Sequence, residues 1–171
     1  MFSKILCPID GSKHAEKALD LAIDLTDKYG AELVILHVPQ PSENVAALRR
    51  FAEVEGLAHE VNTEIERLQS MDLRSPLTTD TAFIESSISP RLLVEIGQYL
   101  VEGATAHAET RGVSRVSSRI ETGDPAERIL ESIDAENVDC VIMGSRDIND
   151  LKGLFTGSVS EKAAYTADCP C

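Results

Sequence analysis

Residues 139–161 read DCVIMGSRDINDLKGLFTGSVSE, and they contain a strand, a loop and the start of a helix in succession. The apolar run Cys140–Met143 has the length and β-branching of a strand buried on both faces. Gly144 ends that run, and a polar loop follows. Ser158 and Glu161 are spaced as a capping box, which predicts that a helix begins there. A helix start presents free N–H groups and the positive end of its dipole, so this segment predicts an anion site.

The amino-terminal part of the chain predicts a βαβ unit. Residues 4–9 form an apolar run that ends near Pro8, and the turn Asp10-Gly-Ser follows it. Apolar residues spaced by three and four predict a helix over residues 13–28, which Gly30 terminates. Residues 31–38 then form a second apolar run. Two strands joined by a helix are expected to be parallel, with a right-handed crossover.

The central part of the chain predicts two long amphipathic helices, over residues 43–69 and 91–110. The segment between them, residues 70–89, is rich in Ser, Thr and Asp. Loops of this length are functional lids or disordered segments in most proteins, so we interpret it as a mobile insertion loop. The alternative interpretation is a tolerated surface insertion.

The next segments complete the alternation of strands and helices. Residues 113–121 predict a third strand, and its alternate Ser and Arg residues suggest a sheet edge. Asp124 and Pro125 suit the cap and first turn of a helix, with Glu127 completing the box. A last helix is expected over residues 158–166. The order β-α-β-α-α-β-α-β-α predicts a single α/β domain over residues 1–171: a three-layer, doubly wound parallel sheet.

Composition limits the function classes. The 171 residues carry 16 basic and 29 acidic side chains, a formal net charge of -13, so nucleic acid and anionic membranes are not expected partners. Without a signal-peptide pattern or a long apolar run, the expected location is the cytoplasm. The four cysteines, at positions 7, 140, 169 and 171, lack zinc-site spacing and are interpreted as structural. No metal site is predicted.

The glycine spacing in residues 139–161 resembles the nucleotide signature of the universal stress protein family: Gly, two residues, Gly, nine residues, Gly, then Ser or Thr. Gly144, Gly157 and Ser158 match it, whereas Asp147 stands at the middle glycine. The resemblance covers roughly residues 2–39 and 113–170. It also includes the segments Pro8-Ile-Asp10, Leu36-His-Val38 and Gly123-Asp-Pro125.

The resemblance implies a strand order of 3-2-1-4-5, with the fifth strand beginning just after a Cys-Pro pair such as Cys169-Pro170. The sequence ends at Cys171, so we expect the fifth strand to be missing or truncated. The fourth strand would then be an exposed edge, which proteins generally cover. A homodimer, or a longer chain that supplies the strand, is therefore expected.

The resemblance also implies a nucleotide site. Strands 1 and 4 are neighbours whose connections leave in opposite directions, and ligands bind beyond the carboxyl ends at such a switch point. Asp10 would hold nucleotide hydroxyl or metal–phosphate groups, and the Val38 backbone would contact adenine. ATP or AMP is the implied ligand, with Mg²⁺ accompanying ATP. The implied binding residues are Pro8, Ile9, Asp10, Val38, Met143, Gly144, Ser145, Arg146, Asp147, Gly157, Ser158, Val159 and Ser160.

Several alternatives remain open at the level of sequence. Asp147 adds bulk and negative charge where the family has glycine at the phosphates, so ATP binding is expected to be weakened. Asp10 has the alternative role of closing a turn, and His37 that of a hydrogen-bonded core residue. No nucleophile is paired with a base, so an enzyme is not expected, and slow ATP hydrolysis is the most that we predict.

The leading hypothesis is an adenine-nucleotide-binding regulatory switch. The rivals are a family member that acts through dimerisation or partner contacts without ATP, and a nucleotide-hydrolysing or adenylyl-transferring enzyme.

Overall fold

A computed structural model describes residues 2–39, 90–145 and 159–171 of the chain. Backbone contacts divide the chain into two compact units, residues 1–39 with 97–171 and residues 40–96. Of the second unit, the description covers only the first residues of one helix. The described elements are β1 (Lys4–Ile9), α1 (Lys13–Tyr29), β2 (Glu32–His37), α2 (Pro90–Thr110), β3 (Val116–Ile120), α3 (Pro125–Glu136), β4 (Cys140–Val141) and α4 (Val159–Thr166).

The first unit is built on a parallel sheet with the strand order β3-β2-β1-β4. β1 and β2 pair along their whole length, from Lys4 opposite Glu32 to Ile9 opposite His37. The predicted order and the parallel direction are therefore confirmed. β3 is at one edge of the sheet, where Ser117, Ser118 and Arg119 are exposed, as its alternating polar residues predicted.

Two apolar clusters cover the two faces of this sheet. In the larger cluster, the sheet residues pack against α1 and the carboxyl-terminal half of α2. In the smaller, Val34, Leu36 and Val141 pack with Ile129 of α3 and Ala163 of α4. Alternate residues of a strand point to opposite faces, so strands of nearly continuous apolar sequence supply both clusters. The predicted three-layer α/β architecture is confirmed.

Local sequence sets the helix ends that adjoin the sheet. The Ser12 hydroxyl accepts a hydrogen bond from the Ala15 N–H at 3.2 Å and caps α1. α1 ends at Gly30, whose φ of +62° is the left-handed conformation that glycine adopts without cost. Asp124 caps α3 by accepting from the Glu127 N–H at 3.0 Å.

Some boundaries differ from those predicted. β3 begins at Val116 rather than at residue 113, because the chain is still turning out of α2 there: the Val113 N–H donates to the Ala108 carbonyl at 3.1 Å. β4 contains two residues instead of four. The predicted helix over 43–69 and the mobile loop over 70–89 lie outside the described residues. The prediction of one domain over residues 1–171 stays a prediction.

Residues 169–171 run beside β4. The Val141 N–H donates to the Pro170 carbonyl at 2.9 Å, as the first bond of a parallel ladder would. The segment is therefore placed where the expected fifth strand would begin. Among the described helices, none combines the length and apolar character needed to cross a membrane.

Candidate functional site

The described part of the chain places nine of the thirteen predicted site residues at the carboxyl edge of the sheet or at the start of α4. Arg146, Asp147, Gly157 and Ser158 lie outside the described residues. Pro8, Ile9 and Asp10 lie at the end of β1, and Val38 follows β2. Met143, Gly144 and Ser145 follow β4, and Val159 and Ser160 lie at the start of α4.

Pro8 explains why β1 and β4 separate at this edge. The Ile142 N–H donates to the Leu6 carbonyl at 2.9 Å. In a parallel ladder the next donor would be residue 8 of β1, and proline has no N–H. Pairing with β4 therefore stops at Leu6, three residues before β1 itself ends. This stop lies at the topological switch point of the sheet, where ligands bind in folds of this kind.

Asp10 closes the turn between β1 and α1. Its Oδ1 accepts a hydrogen bond from the Ser12 N–H at 3.0 Å, and Gly11 between them has a φ of +72°. Asp10 therefore has the turn-closing role that was one of the two alternatives from the sequence. The Asp10 side chain is also exposed beyond the end of β1. One carboxylate can serve both purposes, because it has several lone-pair sites.

Val38, Met143 and Val159 come together in one apolar cluster. Val38 belongs to the smaller core cluster and is 9% exposed, and Met143 and Val159 pack against that cluster, half-buried. Three chain segments distant in sequence therefore contribute to one apolar cluster, in which Met143 and Val159 remain partly exposed. Such a cluster suits the face of a planar heteroaromatic ring.

Gly144 packs directly against the first turn of α1. A Cβ at position 144 would lie 2.6 Å from the carbonyl carbon of His14, 2.8 Å from its oxygen and 2.9 Å from the Ala15 nitrogen. All three atoms belong to the backbone of the first turn of α1, which side-chain motion cannot move. Gly144 therefore has a packing reason to be glycine, independent of any ligand.

His37, the last residue of β2, connects three strands. Its side chain is 0% exposed, and its Nδ1 lies 2.9 Å from the Ile9 carbonyl oxygen of β1. A carbonyl only accepts, so Nδ1 carries the proton and donates. The His37 carbonyl accepts from the Glu121 N–H, just after β3, at 3.0 Å. The interpretation of His37 as a hydrogen-bonded core residue is therefore correct for its Nδ1.

The other ring nitrogen of His37 is buried without a hydrogen-bond partner in the described structure. Gly97 of α2 lies against this side of the ring: a Cβ there would be 2.7 Å from Cδ2 and 3.3 Å from Nε2 of His37. Gly97 is not among the residues that the sequence singled out. Its signal was a glycine inside a helical pattern, which often has a packing reason.

Burial lowers the pKa of His37, against weaker opposing effects of the Ile9 carbonyl and the Asp10 carboxylate. The folded protein therefore holds the imidazole neutral, while the unfolded chain takes up a proton near the ordinary pKa of 6.5. The unfolded state therefore binds more protons than the folded state at low pH. We expect the contribution of neutral His37 to the free energy of unfolding to be complete above pH 6.5 and to be lost as the pH decreases below 6.5.

This pH dependence is measured by urea denaturation between pH 5 and 8, with His37→Asn as the control that cannot titrate. We expect the wild-type curve to lose up to about 1.4 kcal/mol per pH unit more than the variant curve. Parallel curves for the two proteins would contradict a neutral, buried His37.

Lys162 joins α4 to α3 at the same edge of the sheet. Its Nζ lies 3.4 Å from Asp124 Oδ1 and 4.0 Å from Glu127 Oε1. The pKa of Asp124 is lowered, first by the Glu127 N–H and then by Lys162. These side chains are about half exposed, so the contact positions the start of α4 but adds little stability. This pair is not predictable from the sequence, because nothing in the spacing of residues 124 and 162 indicates a contact.

Metal ligands and reactive thiols are not evident in the ranges that the structure describes. No group of three or more His, Cys, Asp or Glu side chains there is arranged to hold a metal ion. Burial raises the pKa of the Cys7 thiol to about 12, which leaves it unreactive. The edge of the sheet offers backbone donors, a carboxylate and an apolar surface, which are groups suited to binding.

Comparison with known proteins agrees with this architecture. The family model of the universal stress protein family matches residues 1–171. The universal stress protein YxiE of Bacillus subtilis is 29% identical over 170 residues, which cover 99% of this chain and 97% of that protein.

Two solved structures are also similar. MJ0577 of Methanocaldococcus jannaschii superimposes with a TM-score of 0.62 at 26% identity, covering 99% of this chain and 93% of that one. A family protein of Arabidopsis thaliana with AMP bound superimposes with a TM-score of 0.56 at 17% identity, covering 98% and 88%. The second likeness shows the fold alone. Because the family model spans the whole sequence, this chain belongs to the universal stress protein family.

Proposed function

We propose that this protein is a regulatory switch that binds an adenine nucleotide at the carboxyl ends of β1 and β4. One observation carries the proposal: the β1–β4 ladder stops at Pro8, at the same edge as Val38 and the half-buried Met143 and Val159, which pack in one apolar cluster. An opening at the switch point with an apolar wall accommodates a purine ring. The AMP bound to the Arabidopsis protein supports the choice of adenine.

The described residues fit such a ligand. The purine would lie on the apolar surface, the exposed Asp10 carboxylate would accept from ribose hydroxyls, and the start of α4 would face the phosphates. The proposed ligand is AMP or ATP, with Mg²⁺ accompanying ATP. We propose a cytoplasmic homodimer that responds to nucleotide, with at most slow ATP hydrolysis.

The direct test is titration of the purified protein with AMP, ADP, ATP and adenosine by calorimetry. Mass spectrometry of the supernatant after denaturation would identify any co-purified nucleotide. We expect at least one adenine ligand to bind at micromolar to low-millimolar concentration. If all four fail to bind at millimolar concentration and none co-purifies, the proposal is wrong.

A second candidate is a family member that acts through dimerisation or partner contacts without ATP. Two observations favour it. Asp147 stands where the family signature has a glycine. Gly144, which the signature shares, has its own packing reason to be glycine, so its presence is weaker support for a phosphate site.

Asp147→Gly discriminates between these candidates. If the Asp147 carboxylate faces the terminal phosphates, charge repulsion costs about 1–2 kcal/mol, because side-chain rotation and counterions reduce the ~4 kcal/mol of two like charges ~4 Å apart at an effective dielectric near 20. ATP affinity should therefore rise roughly five- to thirtyfold in the variant. Adenosine, which has no phosphates, should bind as before.

The matched control is Asp168→Gly, which removes the same charge from an exposed position beyond α4. We expect it to leave the affinities for ATP and adenosine unchanged. Equal shifts for ATP and adenosine in Asp147→Gly, or no shift for either, would mean that Asp147 does not face the phosphates.

A further inference from the structure

A cavity lies at the amino edge of the sheet, opposite the edge that carries the proposed nucleotide site. It is formed where α1 leads into β2 and where α2 leads into β3, and its volume is about 150 Å³. That volume holds several water molecules but is well below the about 300–1,000 Å³ of pockets that take drug-sized ligands. A ligand that fits this cavity is therefore a molecule of a few non-hydrogen atoms.

The helices α1 and α2 end at this cavity in the same way. At the end of α1 the Ala31 N–H donates to the Thr26 carbonyl at 3.0 Å, and at the end of α2 the Val113 N–H donates to the Ala108 carbonyl at 3.1 Å. A helix leaves carbonyl groups unpaired at its carboxyl end, where the negative end of its dipole lies. The two helix ends together favour a cationic group that donates hydrogen bonds.

Four polar side chains that line the cavity have hydrogen-bonding capacity to spare. The side chain of Thr26 is only 2% exposed, and its hydroxyl has no hydrogen-bond partner in the described structure. In the same ranges, the exposed Asp27 carboxylate and Ser114 hydroxyl make neither a hydrogen bond nor an ion pair. The exposed Arg115 guanidinium donates to the Gly30 carbonyl, which uses only one of its N–H groups.

The cavity has one charge of each sign, and the two charges are not paired with each other. Asp27 and Arg115 both line it, yet no ion pair joins them in the part of the chain that the structure describes. The space beside the two helix-ending glycines is open, because a Cβ at Gly30 or Gly112 would meet nothing within 4 Å. Opposite charges that share a small open cavity without contact suit a ligand that itself carries both charges.

We propose that this cavity binds a small zwitterion, an α-amino acid of about the size of glycine. Its ammonium group would donate to the Asp27 carboxylate and, at the floor of the cavity, to the Thr26 hydroxyl. Its carboxylate would accept from the Arg115 guanidinium and the Ser114 hydroxyl. A simple anion or a simple cation would pair with only one half of this arrangement. The site is separate from the nucleotide site, so the proposal does not depend on nucleotide binding.

The first test is a titration of the isotope-labelled protein with glycine, followed by NMR at the Gly30 and Gly112 amides. We expect saturable shifts with a dissociation constant between high micromolar and low millimolar. Acetate and methylammonium should each bind about tenfold more weakly, because each makes only half of the contacts. Absence of shifts at tens of millimolar glycine would overturn the proposal, and so would acetate or methylammonium binding as well as glycine.

The second test uses variants of the lining residues. We expect Asp27→Asn and Arg115→Gln each to weaken glycine binding about three- to tenfold, and Thr26→Val to weaken it about threefold. Arg115→Lys keeps the positive charge and should retain most of the affinity. The matched control is Asp134→Asn, which removes the charge of an exposed carboxylate on α3 and should leave glycine binding unchanged.

Two results of the variant series would contradict the proposed site. If Asp27→Asn and Arg115→Gln bind glycine like the wild type, the ligand does not lie between these two side chains. If Asp134→Asn weakens binding as much as Asp27→Asn, the effect comes from the overall charge of the protein. Circular dichroism establishes that each variant is folded, and if Arg115→Gln is not, Asp27→Asn with its control decides the outcome.

Discussion

Gly144→Ala is expected to lower the free energy of unfolding by about 3 kcal/mol, at the upper end of the cost of overpacking. The added Cβ would stand 2.6–2.9 Å from backbone atoms of His14 and Ala15. These atoms belong to the first turn of α1, so relief requires a shift of the helix or of the end of β4. For a chain of this size, about 3 kcal/mol corresponds to a fall in melting temperature of roughly 6–12 °C. Urea and thermal denaturation measure both quantities.

Gly103→Ala is the matched control for Gly144→Ala. Gly103 lies inside α2, and a Cβ there would meet nothing within 4 Å. Since alanine is favoured over glycine in a helix, this variant should gain up to about 1 kcal/mol of stability. If Gly144→Ala keeps wild-type stability but loses nucleotide binding, a ligand rather than helix α1 is the reason for this glycine.

Gly97→Ala is expected to cost about 2 kcal/mol, although the substitution favours the helix. A Cβ at position 97 would lie 2.7 Å from Cδ2 of His37, and that ring is fully buried and hydrogen-bonded to Ile9. The clash should outweigh the gain of about 1 kcal/mol from helix propensity.

A double-mutant cycle with His37→Ala isolates this contact. Once the ring is removed, Gly97→Ala should cost nothing or stabilise the protein, which gives a coupling energy of about 2 kcal/mol or more. Urea denaturation of the four proteins measures it. Additive effects would mean that the Gly97–His37 contact does not limit the residue at position 97.

The apolar patterns and caps of the sequence were sufficient to predict the layers of the fold. β1 was predicted to the residue, and Gly30 and Asp124 occupy the cap positions that their chemistry favours. These features depend on interactions within a few residues along the chain, so the sequence contains the whole of their cause. The strand order came from the family resemblance and agrees with the observed pairing.

The site residues were predicted as a set of positions, and the structure assigns several of them a structural role. Asp10 closes a turn, Pro8 ends a ladder and Gly144 accommodates α1. None of these roles excludes ligand binding, and the binding roles stay predictions. The four set members outside the described residues include Asp147, on which the prediction for ATP depends.

The length and spacing of its apolar runs determined that this chain folds as a parallel α/β protein. A sheet that is buried on both faces needs strands of nearly continuous apolar sequence, and the helices that cover it need one apolar face each. Tertiary structure alone decided that His37 takes the Ile9 carbonyl, that Gly97 closes over the imidazole and that Lys162 reaches Asp124. Each of these contacts joins residues at least 28 positions apart. Periodicity reports which face of an element is buried, whereas the partner of a given atom depends on how the packed elements are placed against one another.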